Sequence, residues 1–279
     1  MTVFLWDSTS SGVKMPPPPW GRDCYGPKGE IRGYNNDRFR TIVQMDSGIL
    51  SFIDFETKRA LYWIHDARDI PSYENGAPLL RIFNAWTMKR GFQLVHGGAV
   101  GVSNGGVLLA GRGGTGKSTT ALQCLHRGFH YAGDDYVLLK VDDAPVVYSL
   151  YCTGKVHSDN LKRLGFMLPL VSNKEKINTE KALFFLHDRY PYTIRTSFPV
   201  RAIVVPCISG RPDSRLKPVS RSVGLKALAP STLFQLPGTG GETFRFLAEF
   251  TRRVPCYLLE LGSDPSPVPH LIEQALLGS

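Results

Sequence analysis

The stretch AGRGGTGKSTTALQCLHRGFHYAGDDY, residues 110–136, decides the fold. Within it, Gly111, Gly116, Lys117 and Ser118 satisfy the pattern G-x-x-x-x-G-K-[ST] of a P-loop. The motif follows the apolar segment GVLLAG and opens the run KSTTALQCLHR, which predicts a strand, a tight turn and a helix. Backbone N–H groups in such a turn surround an anion at the positive end of the helix dipole. The sequence therefore predicts a phosphate-binding turn.

We expect the whole turn, with the first residues of the helix, to bind a nucleotide. Lys117 would span the β- and γ-phosphates, and the Ser118 hydroxyl would bind Mg²⁺. ATP is the expected donor, although the turn by itself does not distinguish ATP from another nucleotide. The expected nucleotide-binding residues are Gly111, Arg112, Gly113, Gly114, Thr115, Gly116, Lys117, Ser118 and Thr119.

Two adjacent acids, Asp134 and Asp135, follow the predicted helix and open the apolar segment DYVLLKV. A strand that directly follows a P-loop helix can lie beside the P-loop strand, which brings its acids near Mg²⁺ and the γ-phosphate. Consecutive strand residues point to opposite faces, so one acid can bind the metal while the other takes a proton from an attacking hydroxyl. The alternative is that both acids simply belong to a turn between Gly133 and Tyr136.

The remaining chain divides into two regions with different patterns of apolar and polar residues. Residues 41–64 are short apolar segments broken by polar turns, which predicts a small antiparallel meander, and residues 77–89 have the apolar spacing of a helix. Further along, strands are predicted at 202–206 and 256–261, and helices at 241–253 and 268–277. Strands that alternate with helices indicate an α/β sheet. We therefore predict an N-terminal β-rich region with a connecting helix over 1–92, and an α/β P-loop domain over 93–279.

Residues 95–139, VHGGAVGVSNGGVLLAGRGGTGKSTTALQCLHRGFHYAGDDYVLL, resemble the core of the HPr kinase/phosphorylase family and its related serine kinases. The shared pattern is a histidine-bearing strand, a P-loop, a short helix and an Asp-Asp pair. The resemblance implies a P-loop kinase core that is also similar to phosphoenolpyruvate carboxykinase, and assembly into a homo-oligomer. By position it implies Asp134 as the catalytic base, Asp135 as the metal ligand and His96 as a histidine near the phosphates.

The chain also departs from that family. HPr kinases carry an E-x-R-G-L-G-type segment after the acid pair, whereas residues 146–165 here read VVYSLYCTGKVHSDNLKRLG, without an equivalent acid. The resemblance therefore does not extend to the phosphorylase activity. The later segments KALFFLHDRYP (181–191) and LAPSTLFQLPG (228–238) resemble a divergent branch of HPr-kinase-like proteins. Some members of that branch phosphorylate a serine of a lasso-peptide precursor.

The leading hypothesis is an ATP- and Mg²⁺-dependent kinase that transfers the γ-phosphate to a serine hydroxyl of a peptide or small protein. A kinase of a small hydroxylated metabolite is the first alternative. The second is a nucleotide-dependent switch or binding module, although the guanine-specificity element N-K-x-D and an ABC-type signature are both missing from the sequence.

Composition limits which other classes of protein the chain can belong to. The net charge of +9 invites a nucleic-acid partner, but no zinc-finger spacing or aromatic RNA-binding signature accompanies it, and we expect none. No run of eighteen apolar residues or secretion signal occurs, and five scattered cysteines favour neither a disulfide framework nor a metal site. The sequence therefore predicts a cytoplasmic protein that does not bind a membrane.

Two interpretations remain open for each of the weaker candidate site residues. His96 fits a phosphate-proximal histidine or a strand-end histidine bound to backbone, and Lys155 and His157 fit either contacts with phosphate or substrate or a solvated loop. From Arg195 to Ala229 the chain holds seven basic residues against one acid. This basic stretch predicts either a solvated loop or a mobile flap over the active site.

Overall fold

The N-terminal part of the chain forms a four-stranded sheet in the computed structural model, which describes residues 1–277. The strands are β1 (Thr2–Asp7), β2 (Phe39–Val43), β3 (Leu50–Asp54) and β4 (Arg59–Ile64). Strands β2, β3 and β4 are antiparallel neighbours, which confirms the predicted meander, and β1 adds to β4 in parallel. The parallel edge strand was not predicted, because its pairing partner lies more than fifty residues away.

Three helices follow the first strands: α1 (Ser8–Ser11), α2 (Ser72–Asn75) and α3 (Leu80–Met88). Helix α3 buries Ile82 and Ala85 against Ile53 and Tyr62 of the sheet. The predicted helix at 77–89 is confirmed but begins later, because Leu79 adopts a left-handed backbone with φ of 60°. The predicted boundary between residues 92 and 93 falls in the turn between α3 and the next strand.

The remaining chain has mixed α/β structure. Its strands are β5 (Gln93–His96), β6 (Gly98–Val102), β7 (Gly105–Leu109), β8 (His130–Gly133), β9 (Tyr136–Val141), β10 (Pro145–Ser149), β11 (Thr153–Val156), β12 (Ala182–Phe185), β13 (Ser197–Ile208), β14 (Arg215–Val219) and β15 (Cys256–Leu261). Its helices are α4 (Lys117–His126), α5 (Ser158–Leu161), α6 (Arg221–Gln235), α7 (Gly241–Arg252) and α8 (Val268–Leu277).

Nine of these strands form one mixed sheet with the order β5-β9-β10-β13-β7-β6-β8, to which β15 and then β14 are added beside β13. Strands β7, β13 and β15 are parallel, so their carboxyl ends and the loops that follow them lie at one edge. Strands β11 and β12 form a separate antiparallel pair.

Helices cover both faces of this sheet. Leu109 packs with Leu122 of α4 and Ile272 of α8, whereas the preceding Leu108 packs with Leu228 of α6 and contributes to the opposite core. This division follows from strand geometry, because consecutive side chains point to opposite faces. No helix within residues 1–277 is long and apolar enough to cross a membrane.

The strands at 202–206 and 256–261 and the helices at 241–253 and 268–277 are confirmed. Helix α6 was not predicted, since Gly224 and Pro230 interrupt its sequence pattern. The loop expected across the basic stretch is shorter in the structure, because β14 pairs with β15 and α6 begins at Arg221. Only residues 209–214 connect β13 to β14 without regular structure.

The N-terminal part contacts the loop that follows α6. The Lys28 ammonium donates to the Leu236 carbonyl and the Thr239 hydroxyl, both at 3.0 Å. The buried Asn84 side chain donates to the Pro237 carbonyl at 2.9 Å. These contacts hold the meander and α3 against the larger sheet, and the candidate site lies between the two.

Candidate functional site

The glycine-rich turn joins β7 to α4 and depends on backbone conformations that favour glycine. Gly111, Gly114 and Gly116 have φ values of 154°, 81° and 104°. The φ of Gly116 is one that residues with a Cβ rarely adopt, and a Cβ there would also lie 2.3 Å from the end of the Leu261 side chain, which would have to move. By contrast, open space surrounds Gly113 and Gly114. The turn is therefore held firmly at its end and open along its middle.

Lys117 lies under this turn with only 6% of its surface exposed. Its ammonium donates to the carbonyls of Gly111 at 2.8 Å and Arg112 at 3.1 Å. Burial lowers the pKa of Lys117, although the charge of Asp135 opposes that shift. Among the described residues no carboxylate forms an ion pair with Lys117. A buried ammonium that faces an open glycine turn is a suitable partner for nucleotide phosphates.

Asp134 lies beneath the cavity wall and is 2% exposed. Its Oδ2 accepts a hydrogen bond of 3.0 Å from the backbone N–H of Lys155, and the Ser118 hydroxyl is near enough to oppose the rise of the Asp134 pKa. Burial and the like charge of Asp135 raise the pKa of Asp134 above its ordinary value. The carboxylate thus reaches the serine of the glycine turn rather than open solvent.

Asp135 faces the cavity and has two cationic or donor partners. His96 Nε2 donates to its Oδ1 at 3.1 Å, and Lys155 Nζ lies 2.6 Å from its Oδ2. Burial alone would raise the pKa of Asp135, but the hydrogen bond from His96 and the charge of Lys155 outweigh burial and hold the pKa well below its usual range. Asp135 is therefore ionised at neutral pH.

His96 ends strand β5 directly opposite Tyr136 of β9, so strand pairing brings it to the acid pair. Its side chain contacts Asp135 instead of backbone, and its Nδ1 is buried without a partner among the described residues. The following Gly97 donates its N–H to the Asp135 carbonyl at 3.0 Å. A Cβ on Gly98 would lie only 3.0 Å from the Asp134 Cα, so glycine permits this close approach.

Lys155 was predicted only as one of two alternatives, and the structure excludes the solvated loop. It lies in strand β11, whose four residues are all buried, and its side chain is 7% exposed. A single residue thus contacts both acids, Asp134 through its backbone and Asp135 through its ammonium. The segment TGKV was too short to predict from the sequence alone that Lys155 lies in a buried strand.

The glycine turn and Asp135 line a cavity of about 750 Å³. The opposite wall belongs to the N-terminal part of the chain, where Glu74 is buried and accepts hydrogen bonds from the Tyr62 hydroxyl at 2.7 Å and the Gln44 amide at 3.0 Å. Sequence analysis missed this wall, because its residues become neighbours of the glycine turn only through packing between the two sheets. The residues that line the cavity from this wall include Gln44, Asp46, Ser72, Tyr73, Glu74 and Arg81.

The basic stretch contributes nothing to this cavity. Lys217 forms an ion pair with Glu260 at 2.8 Å, and Arg211 and Arg215 also lie outside the cavity wall. In the conformation described these residues do not cover the cavity, and their role as a mobile flap over the active site stays a prediction. Arg211 lines a different depression at the edge of the sheet.

The site has oxygen donors suited to Mg²⁺, but no preformed metal cage. Within the described part of the chain no group of three or more His, Cys, Asp or Glu side chains is arranged to hold a metal. Mg²⁺ typically binds one or two carboxylates together with substrate phosphates and water. The Ser118 hydroxyl beside the buried Asp134 carboxylate fits that donor set, so the residues present are compatible with the ion.

Comparisons with known proteins give a distant structural likeness. No family model matches the chain, and no curated protein sequence matches it. Among solved structures, the HPr(Ser) kinase/phosphatase from Coxiella burnetii aligns with a TM-score of 0.38 and 14% sequence identity. That alignment covers 67% of this chain and 97% of the other.

Proposed function

We propose that this protein is an ATP- and Mg²⁺-dependent kinase that transfers the γ-phosphate to a hydroxyl group, with a serine of a peptide or small protein as the acceptor. One observation carries the proposal: a buried ammonium, Lys117, and an ionised carboxylate, Asp135, line the same cavity. The ammonium suits the phosphate donor, while the carboxylate suits a hydroxyl acceptor. Phosphoryl transfer requires these two groups to face the same space.

The donor side is formed by the glycine turn. Its N–H groups and Lys117 would bind the β- and γ-phosphates, and Ser118 and Asp134 would hold Mg²⁺, which neutralises charge on the transferring group. The hydrogen-bonding reach between Ser118 and Asp134 supports this assignment. Transfer of Lys117 from its two carbonyl partners to phosphate would replace neutral acceptors with charged phosphate oxygens.

The acceptor side is formed by Asp135, and this assignment exchanges the roles that the family resemblance implies for the two acids. Asp134 is 2% exposed and does not line the main cavity, whereas Asp135 does. Asp135 would accept a hydrogen bond from the acceptor hydroxyl and take its proton during transfer. Because the transition state of phosphoryl transfer is loose, orientation of the hydroxyl matters more than the basicity of the carboxylate. His96 and Lys155 position that carboxylate.

A peptide acceptor is supported by the rim of the cavity. Asp46 and Tyr73 are exposed there and joined by a hydrogen bond between the Tyr73 hydroxyl and Asp46 Oδ2, so a chain can continue outward past polar groups. A small hydroxylated metabolite is the second candidate, because about 750 Å³ lies within the usual range of small-molecule pockets. Both candidates use the same phosphoryl-transfer residues.

The test is a transfer assay with purified protein, Mg²⁺ and γ-labelled ATP, using a library of single-serine peptides and a panel of hydroxylated metabolites. Label should pass to one acceptor class, and Lys117→Met should lower the rate at least about 10²-fold. Lys162→Met is the matched control, since Lys162 is an exposed lysine that does not line the cavity. Wild-type turnover in Lys117→Met would reject the kinase proposal, and ATP hydrolysis without label on any acceptor would favour the nucleotide-dependent switch.

A further inference from the structure

A second depression lies beside the glycine turn, at the carboxyl edge of the parallel strands. The loops after β7, β13 and β15 meet at this edge, which is where ligands bind in open α/β sheets. The loop after β13 and the loop after β15 border a groove of about 330 Å³. We call this the edge groove and define it by Arg163, Ile208, Arg211, Pro212, Leu261 and Gly262.

A small cavity of about 20 Å³ lies between the glycine turn and the edge groove. This cavity is lined by Thr119 of α4 and by Arg163, Leu261 and Gly262, and the last three also line the groove. Thr119 in turn lines the main cavity. Shared lining residues therefore place the edge groove next to the phosphate side of the site, along the first turn of α4.

The groove is preformed by backbone contacts. Ser209 N–H donates to the Leu261 carbonyl and Ser263 N–H to the Arg211 carbonyl, both at 3.0 Å, so the two loops are joined. A Cβ on Gly262 would lie 2.2 Å from the Pro212 carbonyl, which shows how closely the loops pack. Binding would therefore need little ordering of the backbone.

The chemistry of the groove suits a flat heteroaromatic base. Ile208 is 62% exposed, an unusual position for a large apolar side chain, and lines the groove together with two exposed arginines, Arg163 and Arg211. Guanidinium groups stack on aromatic faces, and apolar side chains cover the same faces. The Arg163 backbone is anchored to α4 by a hydrogen bond of 3.1 Å from Gln123 to its carbonyl.

We propose that the edge groove binds the nucleoside of the phosphate donor, which leaves the main cavity to the acceptor. This inference rests on the proposed function, because it takes the glycine turn as the phosphate site. Lys117 and Asp135 mark the γ-phosphate end, and Thr119 lies two residues further into α4, on the side of the groove. The donor would thus extend away from the N-terminal wall, and donor and acceptor would enter from opposite sides.

The test compares ATP with inorganic tripolyphosphate, which has the phosphates but no nucleoside. Dissociation constants are measured by calorimetry with Mg²⁺ at about 0.15 M salt, where steering by surface charge is largely screened. The variant is Arg163→Ala/Arg211→Ala. We expect it to weaken ATP about fivefold to twentyfold, from two exposed cation–π contacts, and to leave tripolyphosphate within about twofold of wild type.

Arg215→Ala is the matched control, because it also removes a positive charge from the basic stretch but does not line the groove. It should change neither constant, and thermal unfolding should show that all variants are folded. Equal weakening of ATP and tripolyphosphate, or no weakening of ATP, would overturn the inference. Equal affinity of the wild type for both ligands would also overturn it while sparing the kinase. Failure of the wild type to bind either ligand would instead reject the proposed function.

Discussion

Replacement of Lys155 by methionine tests the centre of the proposed site. Methionine keeps the length and apolar stem of the side chain but removes the ammonium that lies 2.6 Å from Asp135 Oδ2. The backbone N–H that donates to Asp134 is retained. The substitution therefore removes the charge partner of one carboxylate while it leaves the hydrogen bond to the other.

The size of the effect follows from burial. Loss of one partner from a buried ion pair typically costs about 3–5 kcal/mol, and the Lys155 side chain is only 7% exposed. In the wild type the lowered pKa of Asp135 stabilises the fold above the ordinary aspartate value, and this stabilisation is lost as the pH falls. The variant loses much of that lowering. Its deficit in the free energy of unfolding should therefore be large at pH 7 and shrink only as the pH falls below the ordinary aspartate value, towards the lowered pKa of wild-type Asp135.

Urea titrations at several pH values measure that deficit, and initial rates of phosphoryl transfer give a second readout. Because Asp135 keeps only His96 of its two partners, its pKa should rise in Lys155→Met, and the rate should fall on the acid side of neutrality. The control Lys181→Met removes a charge from the same cavity wall without breaking the pair with Asp135. It should add no acid limb to the pH profile.

The double variant Lys155→Met/Asp135→Asn distinguishes the effect of an unpaired buried charge from simple misfolding. Removal of both charges leaves no unpaired ion, so stability should recover most of the loss while transfer stays slow. If Lys155→Met unfolds with the wild-type free energy at pH 7, or if its pH profile is unchanged, Lys155 does not hold Asp135 and the proposed base is mistaken.

Three further predictions test separately the acid pair, the glycine turn and the loop that Lys28 contacts. Asp134→Asn should raise the Mg²⁺ concentration needed for half-maximal rate, whereas Asp135→Asn should slow transfer by roughly 10²- to 10⁴-fold at saturating Mg²⁺; the opposite pattern would restore the roles that the family resemblance implies. Gly116→Ala should weaken ATP binding in calorimetry because residues with a Cβ rarely adopt its φ of 104°, while Gly165→Ala, which lies in open space outside the cavity, should retain binding; equal affinities would contradict the turn geometry. Lys28→Ala should speed proteolysis within residues 236–240 under native conditions, and an unchanged cleavage rate would mean that its two hydrogen bonds do not hold that loop.

Local sequence patterns predicted many of the helices and strands, but such patterns reflect only residues that are close along the chain. The helix that opens at Lys117 and the strand at 256–261 depend on periodicity within a few residues, and both were predicted correctly. Strand β1 is stabilised by a partner near residue 60, and α6 forms despite Pro230 because it packs across the sheet. Such tertiary contacts leave little trace in the local sequence.

The candidate site shows the same limit. The glycine turn and the acid pair were identified because their spacing is set by one strand, one turn and one helix. The buried Lys155 was left ambiguous, and Glu74 was not considered, since each reaches the cavity from a separate segment. Spacing along the chain also could not determine which acid faces the cavity, because that depends on how the turn from β8 to β9 is buried.

The cavity walls come from different parts of the polypeptide, and this has a consequence for how such a protein can change. Gln44, Asp46 and Tyr73 face the acceptor space, yet none contributes to the glycine turn or the acid pair. Substitutions among them can alter which molecule is accommodated while the phosphoryl-transfer residues stay as they are. Selectivity can therefore diversify at Gln44, Asp46 and Tyr73, and a directed-evolution library confined to these positions would search for new acceptors while the phosphoryl-transfer residues stay unchanged.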